Sequence, residues 1–221
     1  MSSVKTIKLY DHAGGPNPPK VKIILQELGI PYESVYPDKI KEAPYTDINP
    51  NGRLPAIEDP NTGLTLWESG AIIEYLIDEY DKEGKLSYTS FPEKWQQSAW
   101  KTFQMSGQGP YYGQRMWFGE KIPSAIDRYS AEIKRVLGVI DAHLTKTGQP
   151  YLVGPKISYA DLMFVTWNHA LPFAMGEEFM KEFEKDMPKA YKWMQELEAR
   201  ESVKKVYADI AEYSAKHGKR H

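Results

Sequence analysis

Two short segments carry residue types whose order could hold a peptide. The first is Asn49-Pro50-Asn51-Gly52-Arg53-Leu54-Pro55-Ala56-Ile57, and the second, farther on, is Glu68-Ser69-Gly70-Ala71-Ile72. A proline that opens a strand donates no ladder hydrogen bond. If the Leu54-Pro55 bond is cis, the N–H and C=O of Leu54 face outward, free to pair with a peptide-like ligand as an added strand would. Glu68 and Ser69 fall where a strand passes into a helix. There the helix N-terminus and the Ser69 hydroxyl suit a carboxylate, while Glu68 suits an ammonium. An α-amino acid head group presents those two charges side by side. On these residues alone a purely structural alternative stays open, with Ser69 as a simple N-cap and Pro55 as a strand terminator.

A third segment, Gly14-Gly15-Pro16-Asn17-Pro18-Pro19-Lys20-Val21, joins a strand-like run to a helix-like one. Asn17 is expected to cap that helix, with Pro18 at its first position. A fourth, FQMSGQGPYYGQRMWF from Phe103 to Phe118, is dense in aromatics, and its Gly109-Pro110 pair is expected to bend or break the helix.

The elements that must position these residues can be read from periodicity. Val4 to Tyr10 alternates in polarity, and KVKIILQELG then repeats apolar residues at helical spacing up to Gly29. Tyr32 to Tyr36 suits a second strand. Leu54 to Ile57 and Leu64 to Trp67 suit two more, joined by the turn sequence EDPNTG. SGAIIEYLIDEY closes this half as an amphipathic helix, with Ile72, Ile73, Leu76 and Ile77 on one face. The expected order is βαβ, a helical connector, a β-hairpin and a helix.

Beyond Asp81 strand signals nearly vanish, and long helical patterns follow at Trp95 to Phe118, Ser124 to Leu144, Ser158 to Ala170 and Ala190 to Ala215. SYADL is a helix start with Ser158 as N-cap, Asp161 answering it, and Ile157 able to staple against Leu162. The expected domains are residues 1–82, a linker at 83–91, and an all-helical domain at 92–221.

Composition excludes several kinds of chemistry. The 221 residues contain no cysteine, so disulfides, thiolate metal sites and a protein-borne thiol nucleophile are ruled out, and any sulfur must arrive on a ligand. A net charge of -2, from 28 basic and 30 acidic side chains, supplies no general attraction to a nucleic-acid backbone. The five histidines lack metal-ligand spacing, so no metal is expected; His12, in the loop before the first helix, is the one that could relay a proton. The opening residues lack the basic and apolar regions of a secretory signal, and no apolar run reaches membrane-spanning length. The expectation is a cytoplasmic protein without nucleic-acid or membrane partners.

NPNGRLPAI together with LWESGAIIEYL resembles the glutathione-binding half of the glutathione transferase superfamily. GGPNPPKV resembles the start of its nu-class bacterial enzymes and of the fungal branch related to the yeast nitrogen-catabolite prion regulator, and GQGPYYGQ resembles a helix motif of that branch. The resemblance implies a thioredoxin-like N-terminal domain, an all-helical C-terminal domain and a homodimer. It implies an enzyme of detoxification that turns the thiolate of bound glutathione on a small hydrophobic electrophile or a mixed disulfide, with glutathione-dependent disulfide reductase and peroxidase activities in the same branch. The alternative is a non-catalytic binding or regulatory module. The chain begins almost at its first strand and ends soon after its last helix, without the extensions of regulatory relatives, which favours the enzyme.

By the same resemblance Leu54, beside Pro55, pairs with the cysteinyl backbone, and Glu68 with Ser69 grips the γ-glutamyl head. Lys41 and Arg53 match basic positions that screen or bind the carboxylates. Asn17 contacts the sulfur, with Tyr10 as the rival activator; no serine or threonine lies between Tyr10 and Val21, and Tyr10 ends an inner strand where an aromatic suits the core. Tyr111, Met116 and Trp117 line the hydrophobic co-substrate pocket, with ordinary packing as their alternative role.

Overall fold

The computed structural model describes residues 4–119 and 122–218. They divide into two compact units. Residues up to Lys85, joined by those from Glu201 on, form the first, and Leu86–Arg200 form the second.

In the first unit the chain runs β1 (Ile7–Tyr10), α1 (Asn17–Leu28), β2 (Tyr32–Val35), a single turn α2 (Tyr45–Ile48), β3 (Ala56–Asp59), β4 (Leu64–Trp67) and α3 (Ser69–Tyr80). The four strands make one sheet in the order β2-β1-β3-β4. β1 lies parallel to β2 with Ile7 beside Tyr32, and antiparallel to β3 with Tyr10 beside Ala56; β3 and β4 form the expected hairpin. This is the thioredoxin-like arrangement.

Ile7, Leu9 and Ile57 from the inner strands are fully buried, as are Val21, Ile24 and Leu25 of α1 and Ile72, Ile73 and Leu76 of α3. Removing water from branched side chains at these densities is the main source of the unit's stability, about 1.5–3 kcal/mol for each fully buried one. α1 stops at Gly29, whose φ of 67° places it in the left-handed region that glycine adopts without cost.

In the second unit every regular element among the described residues is helical: α4 (Glu93–Phe103), α5 (Gly109–Phe118), α6 (Pro123–Thr147), α7 (Tyr159–Leu162), α8 (Val165–Asn168), α9 (Leu171–Met175), α10 (Glu177–Asp186) and α11 (Pro188–Glu198). α6 is its spine, burying Ile133, Val136, Leu137, Ile140 and Leu144 along one stripe. At Gly109-Pro110, where a bend or a break was expected, the chain stays helical but its α-helical pattern is interrupted. A π-helical turn at Gln104–Gln108 joins α4 to α5, with the Gly109 N–H reaching back to the Gln104 carbonyl. One extra residue in the turn lets the helix pass a proline that cannot donate.

The Asp161 carboxylate accepts hydrogen bonds from the Ser158 N–H and hydroxyl and from the Leu152 N–H, each at 2.9 Å, and from the Trp193 indole N–H at 3.0 Å. Ser158 and Asp161 therefore form the helix start expected of SYADL.

α12 (Glu201–His217) belongs with the first unit. It packs on α1, burying Val203 and Val206, and the Ser202 hydroxyl donates to Glu27 Oε1 at 2.5 Å. Helical periodicity placed this segment in the helical domain because periodicity gives a helix its apolar face without naming the surface that face meets. The single helix expected over Ala190 to Ala215 is likewise two, α11 and α12.

Candidate functional site

The Leu54-Pro55 peptide bond is cis. β3 pairs with β1 only as far as Ala56 beside Tyr10, so Leu54 and Pro55 lie beyond the ladder. Leu54 N–H and C=O take no backbone partner among the described residues. The chain leading into this edge is firmly held. The Arg53 carbonyl accepts from both the Tyr45 hydroxyl and Asn49 Nδ2, each at 2.6 Å, and Asn49 Oδ1 accepts the Asn51 N–H at 2.9 Å.

Gly52 turns at a φ of 58°, and a Cβ there would sit 2.5 Å from the Ile40 carbonyl oxygen. Only glycine fits that close approach. The same turn brings up Lys41, whose Nζ donates to the Asn51 carbonyl at 3.1 Å, so Lys41 and Arg53 are exposed cations flanking the free edge. Asn49 and Tyr45 were not singled out from the sequence as part of this arrangement. The polar Asn-Pro-Asn-Gly turn was their only local signal.

Glu68 and Ser69 stand at the start of α3. Glu68 occupies its N-cap position at φ 68°, ψ 114°, the only non-glycine residue with positive φ among the described residues, and its side chain is exposed. Ser69 is the first helical residue and is buried, so it is not the N-cap that the structural alternative supposed. A residue held in a sparsely populated backbone region is characteristic of ligand clamps.

Beneath them lies Lys20 of α1, 2% exposed. Burial pushes its ammonium down to about 7, opposed by the negative charge of Glu68. Sequence reading passed over Lys20, because lysine in a helix pattern normally marks a solvated face.

Asn17 is the first residue of α1, and Pro16 at φ -81°, ψ -14° is its N-cap. Asn17 is therefore not the capping residue, and no side chain caps this helix. The reason is local: Pro16 already holds helix-compatible dihedrals, and Pro18 and Pro19 need no N–H partner in a first turn. The half-buried Asn17 amide is left without a capping role at the mouth of the helix.

Tyr10 lies in the core with Tyr45 and Ala56, its ring edge-on to Tyr45 at 5.4 Å. Burial and the nearby Glu58 raise its phenol above the ordinary range, which keeps it protonated.

Between the end of β1 and the loop after β2 opens a cleft of about 380 Å³, lined by Asp11, His12, Tyr36, Asp38, Ile40 and Leu54 among others. Its floor is fixed by a buried ion pair. Asp11 Oδ2 accepts from Lys22 Nζ and from the Ser34 hydroxyl, both at 2.8 Å, and Oδ1 accepts the His12 N–H at 2.7 Å.

Two domain families match this chain: glutathione S-transferase, N-terminal domain, over residues 5–78, and glutathione S-transferase, C-terminal domain, over residues 107–201. The glutathione S-transferase-like protein OpS6 of Beauveria bassiana is 49% identical over 96% of this chain and 99% of its own. The chain belongs to the glutathione S-transferase family. Within the family it sits beside URE2-type members. The crystal structure of the glutathione transferase URE2P6 from Phanerochaete chrysosporium, in complex with oxidised glutathione, superposes with a TM-score of 0.87 at 45% identity, covering 94% of this chain and 97% of that one. Protein URE2 of Saccharomyces bayanus is 32% identical over 90% of this chain and 68% of its own.

Of the residues this transferase fold was expected to use, Lys41, Arg53, Leu54, Pro55, Glu68, Ser69, Asn17 and Tyr10 all fall in the first unit. The candidate pocket residues lie on α5 of the second. Tyr111 is half-buried with its ring 6.2 Å from that of Tyr129, Met116 is half-buried, and Trp117 is 80% exposed.

Proposed function

We propose that this chain is a glutathione transferase that binds the tripeptide along the free Leu54 edge and raises the thiolate population of its cysteine. The observation that carries the reading is the pairing of an unfilled strand edge at Leu54 with an exposed Glu68 in a left-handed backbone at the start of α3. The edge suits the cysteinyl backbone, Glu68 and Ser69 suit the γ-glutamyl head, and Lys41 with Arg53 suits the free carboxylates. Asn17, at the first position of α1 with its amide free of capping, is the sulfur contact, and Tyr10 is its buried rival. An amide N–H and a helix N-terminus both favour thiolate over thiol.

The thiolate then attacks either a small hydrophobic electrophile, held against Tyr111, Met116 and Trp117, or the sulfur of a mixed disulfide. That URE2P6 was crystallised with oxidised glutathione supports including thiol–disulfide exchange. The enzyme is proposed to act in the cytoplasm, as a homodimer, in detoxification. The kinship with protein URE2 supports the second reading, a glutathione-binding module without turnover.

The test is the ultraviolet thiolate absorbance of bound glutathione against pH, in the wild type and in Asn17→Ala. Free glutathione ionises at roughly 8.5 or above, and each unit of lowering is about 1.4 kcal/mol of preference for the anion. The expected result is a lowered value that climbs back in the variant. A lowered value that does not move transfers the role to Tyr10 or to backbone donors. Absence of glutathione binding ends the enzyme reading.

A further inference from the structure

The structure assigns His12 a part in the site: we propose that it is a hydrogen-bond donor, through Nε2–H, to the sulfur that leaves in thiol–disulfide exchange. The inference rests on the glutathione reading above and adds a residue to it. His12 follows the last paired residue of β1, Tyr10, by two residues, Leu54 precedes its partner Ala56 by two, and both line the same cleft. A ligand paired to the Leu54 backbone therefore meets His12 across the gap.

The orientation of the ring is fixed from behind. Gly14 N–H donates to His12 Nδ1 at 3.0 Å, and the His12 N–H is anchored on Asp11 Oδ1 at 2.7 Å. A nitrogen that accepts a backbone N–H carries no proton of its own, so in this tautomer the proton sits on Nε2. Asp11, the acid next to His12 in the chain, is already occupied by Lys22 and Ser34, and Tyr36 and Asp38 line the same cleft. Tyr36 is stacked on Tyr213 of α12 at 3.8 Å, and burial pushes its phenol up, so it stays neutral.

In the step itself the glutathione thiolate forms a bond to one sulfur of a mixed disulfide, the S–S bond breaks, and its electron pair departs on the other sulfur as a thiolate. His12 donates a hydrogen bond to that anion and keeps its proton, and the thiolate takes a proton from water after leaving. This replaces the proton-relay role considered for His12 from sequence. A donor aimed at charge that develops only as the bond breaks lowers the barrier without tightening the ground state.

The two amide substitutions separate the ring nitrogens. His12→Asn places an oxygen near Nδ1, keeping an acceptor for Gly14 while removing the donor from the cleft. His12→Gln keeps a donor near Nε2. The measurement is kcat/KM for a series of glutathione mixed disulfides whose leaving thiols span a range of acidity, alongside glutathione affinity by calorimetry. His12→Asn is expected to bind glutathione as the wild type does and to lose about tenfold or more in kcat/KM with the least acidic leaving thiols, and much less with the most acidic. His12→Gln should restore most of that loss.

An equal loss across the series, or one matched by lost glutathione affinity, would reduce His12 to a support for the loop and overturn the proposal. So would a limb in the alkaline pH profile of kcat/KM that vanishes in His12→Asn, since that marks proton transfer. If the wild type binds no glutathione, the broader reading fails first. If it binds and turns over while His12→Asn is unchanged, only the role of His12 is lost.

Discussion

Asp161 and Glu68 are two carboxylates at two helix starts, and their surroundings differ in almost every respect. Asp161 is fully buried and receives four hydrogen bonds, from two backbone N–H groups, a hydroxyl and an indole. Glu68 is exposed and carries a positive φ. One carboxylate has spent its hydrogen-bonding capacity on the fold and has none left for a ligand. The other keeps its side chain exposed at a backbone cost of about 1–3 kcal/mol, a cost that the proposed use as a ligand grip would explain. A helix-start acid is thus a folding device or a ligand grip according to how many of its acceptor positions the protein itself fills.

The largest expected effect breaks the comparison on the Asp161 side. Asp161→Asn puts an amide where both oxygens now accept, so one N–H is turned toward another donor inside the core. Burial pushes the Asp161 carboxyl up and the four donors oppose that shift, so the charge and its donors depend on one another. Leaving a buried donor unmatched and removing charge-assisted bonds costs on the order of 3–5 kcal/mol. Urea unfolding is expected to show that loss, with glutathione affinity unchanged in buffer where the variant is still folded. An affinity that falls along with stability would join Asp161 to the ligand site and remove the contrast.

Next in size is an effect beneath Glu68. Lys20 titrates near 7 in the native protein and at its ordinary 10.5 when unfolded. Between those values the unfolded chain holds more protons than the native one, so this group's cost is full below pH 7 and is relieved as pH rises toward 10.5. Lys20→Met removes the cost. Its stability advantage over the wild type is expected to be larger at pH 6 than at pH 9 by roughly 2–3 kcal/mol, measured by denaturant unfolding at both values. A difference that does not change with pH would mean that Glu68 keeps Lys20 charged throughout, so that the grip is already half-neutralised before any ligand arrives.

These two residues also mark how far the sequence can be read. Strand alternation, the hairpin turn, Gly29 at a helix end and the Ser158–Asp161 start were legible because each is set by neighbours a few residues away. The segments around Leu54 and Glu68 were legible as a candidate site because Glu68 and Ser69 suit the two charges of an amino-acid head group and, beyond that, because both segments resemble the glutathione-binding half of the family. Lys20 was not legible: nothing local separates a buried lysine from a solvated one. The Asn17 cap failed for a related reason, since Pro16 could open the helix a residue early and only the three-dimensional path of the loop decided it. The fate of α12 was open because an amphipathic helix does not name its partner.

The smallest effect, and the sharpest test of what Glu68 is for, is Glu68→Gly. Glycine adopts a positive φ without the steric cost that a Cβ brings, so the substitution relaxes the turn into α3 and is expected to stabilise the fold by about 1 kcal/mol, less whatever flexibility it gives the unfolded chain. The same change removes the carboxylate proposed to hold the γ-glutamyl ammonium. A charge-assisted hydrogen bond contributes about 1.5–3 kcal/mol, so glutathione affinity is expected to fall about tenfold or more while the unfolding midpoint rises. Opposite movement of the two quantities is what a residue kept for a ligand at the expense of the fold must show. Glu68→Gln divides the result further, since it keeps the Cβ and removes only the charge: affinity should drop with the midpoint unchanged. If Glu68→Gly lowers both quantities together, the positive φ serves the strand-to-helix turn itself, and Glu68 becomes a folding residue of the same kind as Asp161.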